Sequence, residues 1–395
     1  MSTPDNPVVF DASFFDPIID RRGTDSTHST KWAKYAGRDV VPMWVADMDF
    51  ASPPAVLEAL HRRVDHGVFG YSRPPVGLVE TMVAHLERRH RFEVDPEALV
   101  WLPGLVPGIN LACRAVGEDG DGVATFVPVY HPFLKAPALS RRTLVTVPLA
   151  EAHNRWQPDA AALAKALTPR TRLFLLCNPH NPVGRVFGEA ELTALAEVCL
   201  ANDVVVVADE IHCDLILEPG LDHLSFAALA PEVADRTITL LAPSKTYNLA
   251  GLGCSLAVIT NRELRERFKA AMTGIVPDVT PLSLAAAEAA YGRGEPWRQG
   301  LIAYLRHNRD RLQAAVAGWP GVDMAPAEAT YLAWLDCRAT GVDDPLAFCE
   351  AAGVGPSPGA QFGAPGFVRL NFGCPTSTLE TAIARLGKAF GGLAL

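Results

Sequence analysis

The chain has 395 residues, of which 49% are hydrophobic and 20% charged, a composition that excludes a disordered protein and leaves room for two domains. The 44 acidic residues outnumber the 35 Lys and Arg residues, and the net charge of −9 argues against binding along a nucleic-acid backbone. Apolar runs fall far short of the roughly 20 residues of a membrane-spanning helix. Because the first basic residue is Arg21, we expect no secretory signal and predict a cytoplasmic protein without a membrane partner.

Cysteine and histidine spacing indicates neither a disulfide framework nor a metal site. The nearest two of the eight cysteines, Cys337 and Cys349, are twelve residues apart, and no C-x-x-C is present. The eleven histidines form no H-E-x-x-H or similar pattern. We therefore expect free thiols in a reducing compartment and no metal ligand.

Short apolar runs alternate with helix-period stretches between about residues 100 and 260. Runs such as Val204–Val207 have no polar face, which is typical of strands in a mostly parallel sheet covered on both sides. The alternation predicts an α/β layered domain. The predicted strands are Gly122–Val127, Thr143–Leu149, Arg172–Cys177, Val204–Asp209, Thr237–Ala242 and Leu256–Thr260, and amphipathic segments lie at Asp159–Leu167 and Glu189–Ala201.

The pattern changes after Pro281. Helical periodicity covers Ser283–Tyr291, a long stretch from Trp297 to before Gly318, and Thr378–Phe390, while Thr330–Asp336 and Phe367–Phe372 are predicted strands. We predict a large α/β domain over 49–289 and a smaller α+β domain formed by 1–48 and 290–395.

Two turns between these elements have compositions that suit ligand binding. Leu102–Gly108 is a glycine-rich turn that leads into a helical stretch, and a helix N-terminus offers free N–H groups to a phosphate. Asn178–Gly184 contains two prolines and a glycine, which fix a loop and can hold the Asn181 amide in one position. Taken alone, each segment is equally compatible with an ordinary turn.

An acid and a lysine follow two buried strands. Asp209 ends a predicted strand, where side chains enter the crevice used for ligands in open α/β sheets. Lys245 follows Thr237–Ala242, and a desolvated lysine at such a position can act as a Schiff-base nucleophile. On its own, Asp209 is also compatible with a helix cap or a solvated loop acid, and Lys245 with a surface lysine.

Taken together and in this order, the four motifs resemble the aspartate-aminotransferase-like superfamily of enzymes that depend on pyridoxal 5'-phosphate (PLP). Three segments are similar to the MalY/PatB group of C–S β-lyases, the cystathionine β-lyases: Met43–Phe50, Asp209–His212 and Pro243–Gly251. The resemblance covers most of the chain. It implies a PLP-dependent transferase-like fold, with a mostly parallel sheet in the large domain and a smaller α+β domain.

The resemblance also implies a role for individual residues around the cofactor ring. Lys245 would bond to the cofactor aldehyde and later move the substrate Cα proton, and Asp209 would pair with the protonated pyridine nitrogen. Asn181 would donate a hydrogen bond to the phenolic oxygen, and Tyr130 would stack on the ring. The matching residues for the phosphate are the amides of Leu105 and Val106 and the hydroxyl of Ser244.

Further residues are implied to contact the substrate. Arg369 would bind the substrate α-carboxylate, and strand alternation places it on the face opposite Val368 and Leu370. Tyr71 matches a tyrosine that enters the partner subunit's active site in the homodimers of this family.

Two positions depart from the usual aminotransferase pattern and favour the lyase group. His212 stands near the cofactor where many aminotransferases have a tyrosine. Gly253 stands eight residues after Lys245, where they usually have a phosphate-binding arginine.

The implied activity is β-elimination from L-cystathionine or a related S-substituted cysteine, giving pyruvate, ammonia and a thiol. Two alternatives stay open: an aminotransferase, and a regulatory protein that retains the PLP scaffold. A serine hydrolase is excluded because Leu256–Thr260, which follows Ser255, is a predicted strand rather than the helix that a nucleophile elbow requires.

Overall fold

The computed structural model describes residues 9–22, 28–152 and 154–393. Fifteen strands are present in these ranges: β1 Val41–Pro42, β2 Leu99–Leu102, β3 Gly122–Val127, β4 Thr143–Pro148, β5 Ala150–Ala152, β6 Arg155–Gln157, β7 Thr171–Cys177, β8 Val205–Asp209, β9 Thr237–Leu241, β10 Ser255–Val258, β11 Asp323–Met324, β12 Leu332–Asp336, β13 Val354–Gly355, β14 Ser357–Pro358 and β15 Phe367–Asn371.

The same ranges contain fifteen α-helices and five short 3-10 turns. The helices are α1 Ala12–Phe15, α2 Thr30–Ala33, α3 Pro54–Asp65, α4 Val76–His90, α5 Leu105–Ala115, α6 His131–Leu139, α7 Ala160–Ala166, α8 Glu189–Ala201, α9 Pro231–Ala234, α10 Pro243–Thr246, α11 Arg262–Met272, α12 Pro281–Arg293, α13 Glu295–Val316, α14 Pro345–Ala351 and α15 Thr376–Gly391. None of the described helices is both long and apolar enough to cross a membrane.

A seven-stranded sheet lies at the centre of the fold, with the order β2-β10-β9-β8-β7-β3-β4. Five neighbouring strands, from β9 to β4, run parallel, and β10 is antiparallel to both β9 and β2. Separate hydrophobic clusters cover its two faces, one built on α5 and α6 and the other on α7 and α8. The predicted α/β fold with a mostly parallel sheet is therefore confirmed. Strand β10 is the one that runs against its neighbours in this sheet.

A second sheet of four strands, β11-β12-β15-β14, is formed entirely by residues after 320. The short strand β1 pairs in parallel with β13, so Val41–Pro42 lies beside Val354–Gly355 although more than 300 residues separate them. The proposed division into domains at 49–289 stays a prediction. All eight cysteines are buried, and none of them forms a disulfide in the structure.

Candidate active site

The registers of β7, β8 and β9 bring three predicted site segments to one edge of the large sheet. Cys177 at the end of β7 pairs with Asp209 at the end of β8, and Asp209 pairs in turn with Leu240 near the end of β9. Because carboxyl ends of parallel strands share an edge, the loop containing Asn181, the acid Asp209 and the lysine of α10 meet there.

A cavity of about 310 Å³ occupies this edge. It extends from the N-terminus of α5, past the ends of the central strands, to β14 and β15 of the second sheet. Nine of the ten predicted site residues line it: Leu105, Val106, Tyr130, Asn181, Asp209, His212, Ser244, Lys245 and Arg369. The structure thus brings together residues that are separated by up to 264 positions in the sequence (369 − 105).

Lys245 presents a desolvated amine to the cavity. Its Nζ donates a hydrogen bond of 2.6 Å to the backbone oxygen of Ala46. Burial lowers the pKa of Lys245 to about 8, Asp47 opposes this shift, and Arg369 adds to it. A lysine with a pKa near 8 has an appreciable neutral fraction at neutral pH, which a nucleophile or proton acceptor needs.

Asp209 is a buried acid that lines the same cavity. One of its carboxylate oxygens accepts the Ile211 N–H at 3.1 Å, and the side chain is almost inaccessible to water. Burial raises the pKa of Asp209 to about 7, with Lys245 acting weakly in the opposite direction. A cationic ring nitrogen placed against this carboxyl group would stabilise its ionised form.

Arg369 is a buried cation, and no carboxylate of the described residues is hydrogen-bonded to it. Its Nη1 donates to Asn181 Oδ1 at 2.8 Å and its Nη2 to the Trp44 backbone oxygen at 2.8 Å. The guanidinium also lies over the Phe362 ring, 4.6 Å from its centroid. Its Nε has no partner among the described residues, and burial lowers the pKa of Arg369 to about 10. An incoming carboxylate would supply the missing negative charge and a bidentate partner.

The other end of the cavity is suited to a phosphate. Leu105 and Val106 begin α5, an eleven-residue helix whose N-terminus receives no hydrogen bond from a capping side chain. The first N–H groups of such a helix lack intrahelical acceptors and favour an anion, and Ser244 lies in the same wall. Gly253 has φ +42°, and a Cβ there would lie 3.0 Å from the Pro103 oxygen. The arginine expected there in aminotransferases would therefore meet both backbone strain and a close contact.

Two ring side chains, those of Tyr130 and His212, also line the cavity. Tyr130 is partly buried, its N–H donates to the Asn181 oxygen at 3.1 Å, and burial raises its pKa. His212 is buried and its Nδ1 has no hydrogen-bond partner among the described residues. Burial lowers the pKa of His212 to about 3, with Lys245 and Arg369 acting in the same direction, so the imidazole stays neutral.

Tyr71 is the one predicted site residue that does not line this cavity. It is fully exposed, within a segment between α3 and α4 that also exposes Val68 and Phe69. Its predicted place in the partner subunit's active site stays a prediction.

Sequence reasoning gave no individual roles to several residues that complete the cavity. The backbone oxygens of Trp44 and Ala46 accept hydrogen bonds from Arg369 and Lys245, so segment 44–49 crosses directly beside both. The motif Met43–Phe50 was the only signal for this segment. The other lining residues without a predicted role include His131, Ser357, Gln361 and Phe362.

Comparisons with known proteins agree with this geometry. The family model "Aminotransferase class I and II" matches residues 38–386. The chain belongs to the class I and II aminotransferase family. Cystathionine β-lyase PatB of Bacillus subtilis is 38% identical over 384 residues, which are 95% of this chain and 99% of PatB. The predicted superfamily and the MalY/PatB group are confirmed.

Two solved structures are similar to this chain over nearly its whole length. OvoB superimposes with a TM-score of 0.93 and 44% identity, covering 96% of this chain and 100% of OvoB. The PLP-bound C–S lyase of Staphylococcus hominis has a TM-score of 0.88 and 32% identity, covering 95% of this chain and 97% of that enzyme.

The residues of this cavity fit PLP on their own chemistry. One buried amine, one buried acid and an uncapped helix N-terminus occupy three walls, which matches an aldehyde, a basic ring nitrogen and a phosphate. The unpaired Nε of Arg369 leaves capacity for a carboxylate beside them.

Proposed function

We propose that this chain is a PLP-dependent C–S β-lyase that acts on L-cystathionine or a related S-substituted cysteine. The products are pyruvate, ammonia and a thiol, which is homocysteine when cystathionine is the substrate. Support comes from the cavity and from relatives named for cystathionine β-lyase and C–S lyase activity.

PLP, when bound, supplies an aldehyde for covalent attachment and an electron-withdrawing ring that acidifies the substrate Cα–H. Lys245 would be the covalent attachment point for the cofactor, and its amine would accept the substrate Cα proton. Asp209 would hold a proton on the ring nitrogen, because its buried carboxylate gains most from a cation in contact. Asn181 would donate to the phenolic oxygen, and Tyr130 would pack on the ring face.

Arg369 orients the substrate through the α-carboxylate. It is held by Asn181 and by the Trp44 oxygen, so the guanidinium is positioned before the substrate binds. Such preorganisation fixes the Cα–H and the Cβ–S bond relative to Lys245. The neutral His212 would add no charge beside them, and the N–H groups of Leu105 and Val106 with the Ser244 hydroxyl would hold the phosphate.

One observation carries the proposal: Lys245, Asp209 and Arg369 line one buried cavity with the amine pKa lowered to about 8. Product analysis tests the reaction. The holoenzyme with L-cystathionine should release pyruvate, ammonia and free thiol in equal amounts. Transfer of the amino group to a 2-oxo acid without ammonia would establish an aminotransferase instead. Bound PLP without turnover of any S-substituted cysteine would favour the regulatory alternative.

We also propose that the protein works as a homodimer with shared active sites. Val64, Val68, Phe69 and Val76 are all more than half exposed, and Tyr71 is fully exposed among them. An apolar patch of this kind favours burial against a second copy, which would carry Tyr71 into the partner's cavity.

Mixing two inactive variants tests the shared site. In a shared-site dimer, Lys245→Ala and Tyr71→Ala chains form hybrids with one intact site, restoring about a quarter of the native activity per chain after random exchange. No recovery in a verified hybrid would mean that each site is built from one chain.

We place the enzyme in the cytoplasm and in sulfur amino acid metabolism, with a role in methionine biosynthesis through release of homocysteine. Growth of a bacterial strain that lacks its own cystathionine β-lyase, on medium without methionine, tests this role. If the strain fails to grow although the protein is present and active in extracts, the lyase activity does not serve methionine biosynthesis.

A further inference from the structure

A second cluster of chemically active side chains lies behind the catalytic cleft. His85 and His90 come from the C-terminal half of α4, and Asp214 follows β8 by five residues. One potential ligand atom from each lies within 4.8 Å of the other two, and all three residues are buried. The sequence did not reveal this cluster, because the two histidines are separated from the acid by more than 120 residues.

The atoms of this cluster have the spacing of ligands around one small ion. His85 Nε2 is hydrogen-bonded to Asp214 Oδ2 at 3.1 Å, and His90 Nε2 lies 3.6 Å from the other carboxylate oxygen, Oδ1. Tetrahedral zinc with bonds of about 2.0–2.1 Å to N and O separates its ligands by about 3.3 Å. The Asp214 Oδ1 atom has no hydrogen-bond partner among the described residues, so it is available to an ion.

A thiol and an access route lie beside these ligands. Cys213 Sγ lies 3.5 Å from His90 Nε2 but is not one of the three ligands. The two imidazoles among the three ligands favour a zinc-like ion over magnesium or calcium. A second cavity, of about 430 Å³, is lined by both His90 and Cys213. An ion could therefore reach the cluster without passing through the catalytic cleft.

Two arginines, Arg89 and Arg298, lie near Asp214, but neither prevents an ion from binding there. Arg89 Nε lies 3.7 Å from Asp214 Oδ1, and because its side chain is 40% exposed it can move into the solvent. Arg298 is neutralised by Glu295 at 2.7 Å and donates to the Asp214 backbone oxygen, away from the carboxylate. A divalent cation that took the place of Arg89 would still balance the negative charge of the Asp214 carboxylate.

We propose that His85, His90 and Asp214 form a binding site for one zinc-like divalent metal ion. The site is separate from the PLP cavity and does not depend on the proposed lyase function. Asp209 and His212 line the catalytic cavity, whereas Cys213 lines the second one. A metal ion would therefore brace segment 209–214 from behind the cofactor.

Cobalt substitution tests the site in the PLP-loaded protein. After treatment with chelator, we expect the native protein to bind one Co²⁺ per chain with the intense visible absorption of tetrahedral cobalt. His90→Gln and Asp214→Asn should each weaken Co²⁺ binding at least tenfold. His223→Gln is the matched control, because this buried histidine packs 5.4 Å from the His90 ring but is not one of the three ligands.

Two results would overturn the proposal: no stoichiometric Co²⁺ uptake by the native protein, or equal uptake by native, His90→Gln and Asp214→Asn proteins. PLP absorbance and circular dichroism establish that each variant is folded. If neither ligand variant folds, anomalous diffraction from native crystals grown with Zn²⁺ decides the matter. A peak between His85, His90 and Asp214 supports the site, and its absence there rejects it.

Discussion

Buried charges are paired differently in two regions of the molecule. One region is the active-site cavity, and the other is an ion cluster formed by Arg21, Lys31, Asp47 and Asp49. In the ion cluster, Lys31 lies 2.7 Å from Asp49, and Arg21 lies 2.6 Å from both Asp49 and Asp47. In the cavity, the hydrogen-bond partners of Arg369 within the described part of the chain are all neutral.

The difference separates charges that hold the fold from charges that await a ligand. Removing one partner of a buried ion pair costs about 3–5 kcal/mol, because it leaves a buried charge without compensation. A buried cation without an anion destabilises the free protein until a ligand provides one. Segment 44–49 joins the two regions, since Asp47 and Asp49 anchor it while Trp44 and Ala46 contact Arg369 and Lys245.

Replacing Lys245 should have the largest effect. Lys245→Ala removes the proposed covalent attachment point and proton acceptor, so we expect pyruvate release to fall on the order of 10³-fold or more. Pyruvate assays on the PLP-saturated variant provide the measurement, and Lys269→Ala, an exposed lysine, is the control. Near-native turnover by Lys245→Ala would remove Lys245 from the mechanism.

Breaking the ion cluster should mainly affect stability. Asp49→Ala removes the carboxylate that lies 2.7 Å from Lys31, which is 1% exposed, and leaves the Asp47 carboxylate, 3.9 Å away, as the ion-pair partner of Lys31 among the described residues. We expect the free energy of unfolding to fall by about 3 kcal/mol, measured by denaturant titration of the cofactor-free protein. Glu58→Ala is the control, because both of its arginine partners are exposed and such pairs contribute about 0–1 kcal/mol. An equal loss in both variants would contradict the special role of the buried cluster.

Replacing Arg369 should lower activity more than stability. Arg369→Ala should lower kcat/KM about 10- to 100-fold, because a charge-assisted carboxylate contact contributes about 1.5–3 kcal/mol. The cofactor-free variant should lose much less stability than Asp49→Ala, since a desolvated cation is removed along with its contacts. Unfolding and steady-state assays on the same preparations compare the two. A stability loss as large as that of Asp49→Ala would erase the contrast between the regions.

The smallest effect is a pH dependence of cofactor capture. The Lys245 amine reacts with an aldehyde only when neutral, so capture of PLP by the cofactor-free protein should slow about tenfold per pH unit below the pKa near 8. The same lowered pKa costs the cofactor-free protein stability. This cost is fully present below pH 8 and is relieved as the pH rises toward the ordinary lysine value of 10.5.

Absorbance of bound PLP after rapid mixing, from pH 6 to 9, measures the capture rate. Burial also raises the pKa of Asp209 to about 7, so Asp209→Asn serves to remove the second titration. A profile without a break near pH 8 in that variant would contradict the lowered lysine pKa.

Most of the predicted elements are present in the structure with small changes at their ends. β3 and α8 begin and end at the predicted residues, while the predicted Thr330–Asp336 strand is observed as Leu332–Asp336. Helices α3 and α4 and strand β2 were not predicted individually. Strand β2 has only four residues, and a short apolar run carries too little periodicity to separate strand from helix.

The sequence by itself determined the layered α/β fold, the family and the chemical identity of the cavity residues, because these are written in local periodicity and in short motifs. Only the tertiary structure decided how charges are paired. Arg369 without a carboxylate, Lys31 beside Asp49, and two histidines of α4 beside Asp214 all depend on contacts between distant segments. Burial, and with it the pKa of Lys245 and Asp209, arises from how those segments pack, which no local pattern encodes.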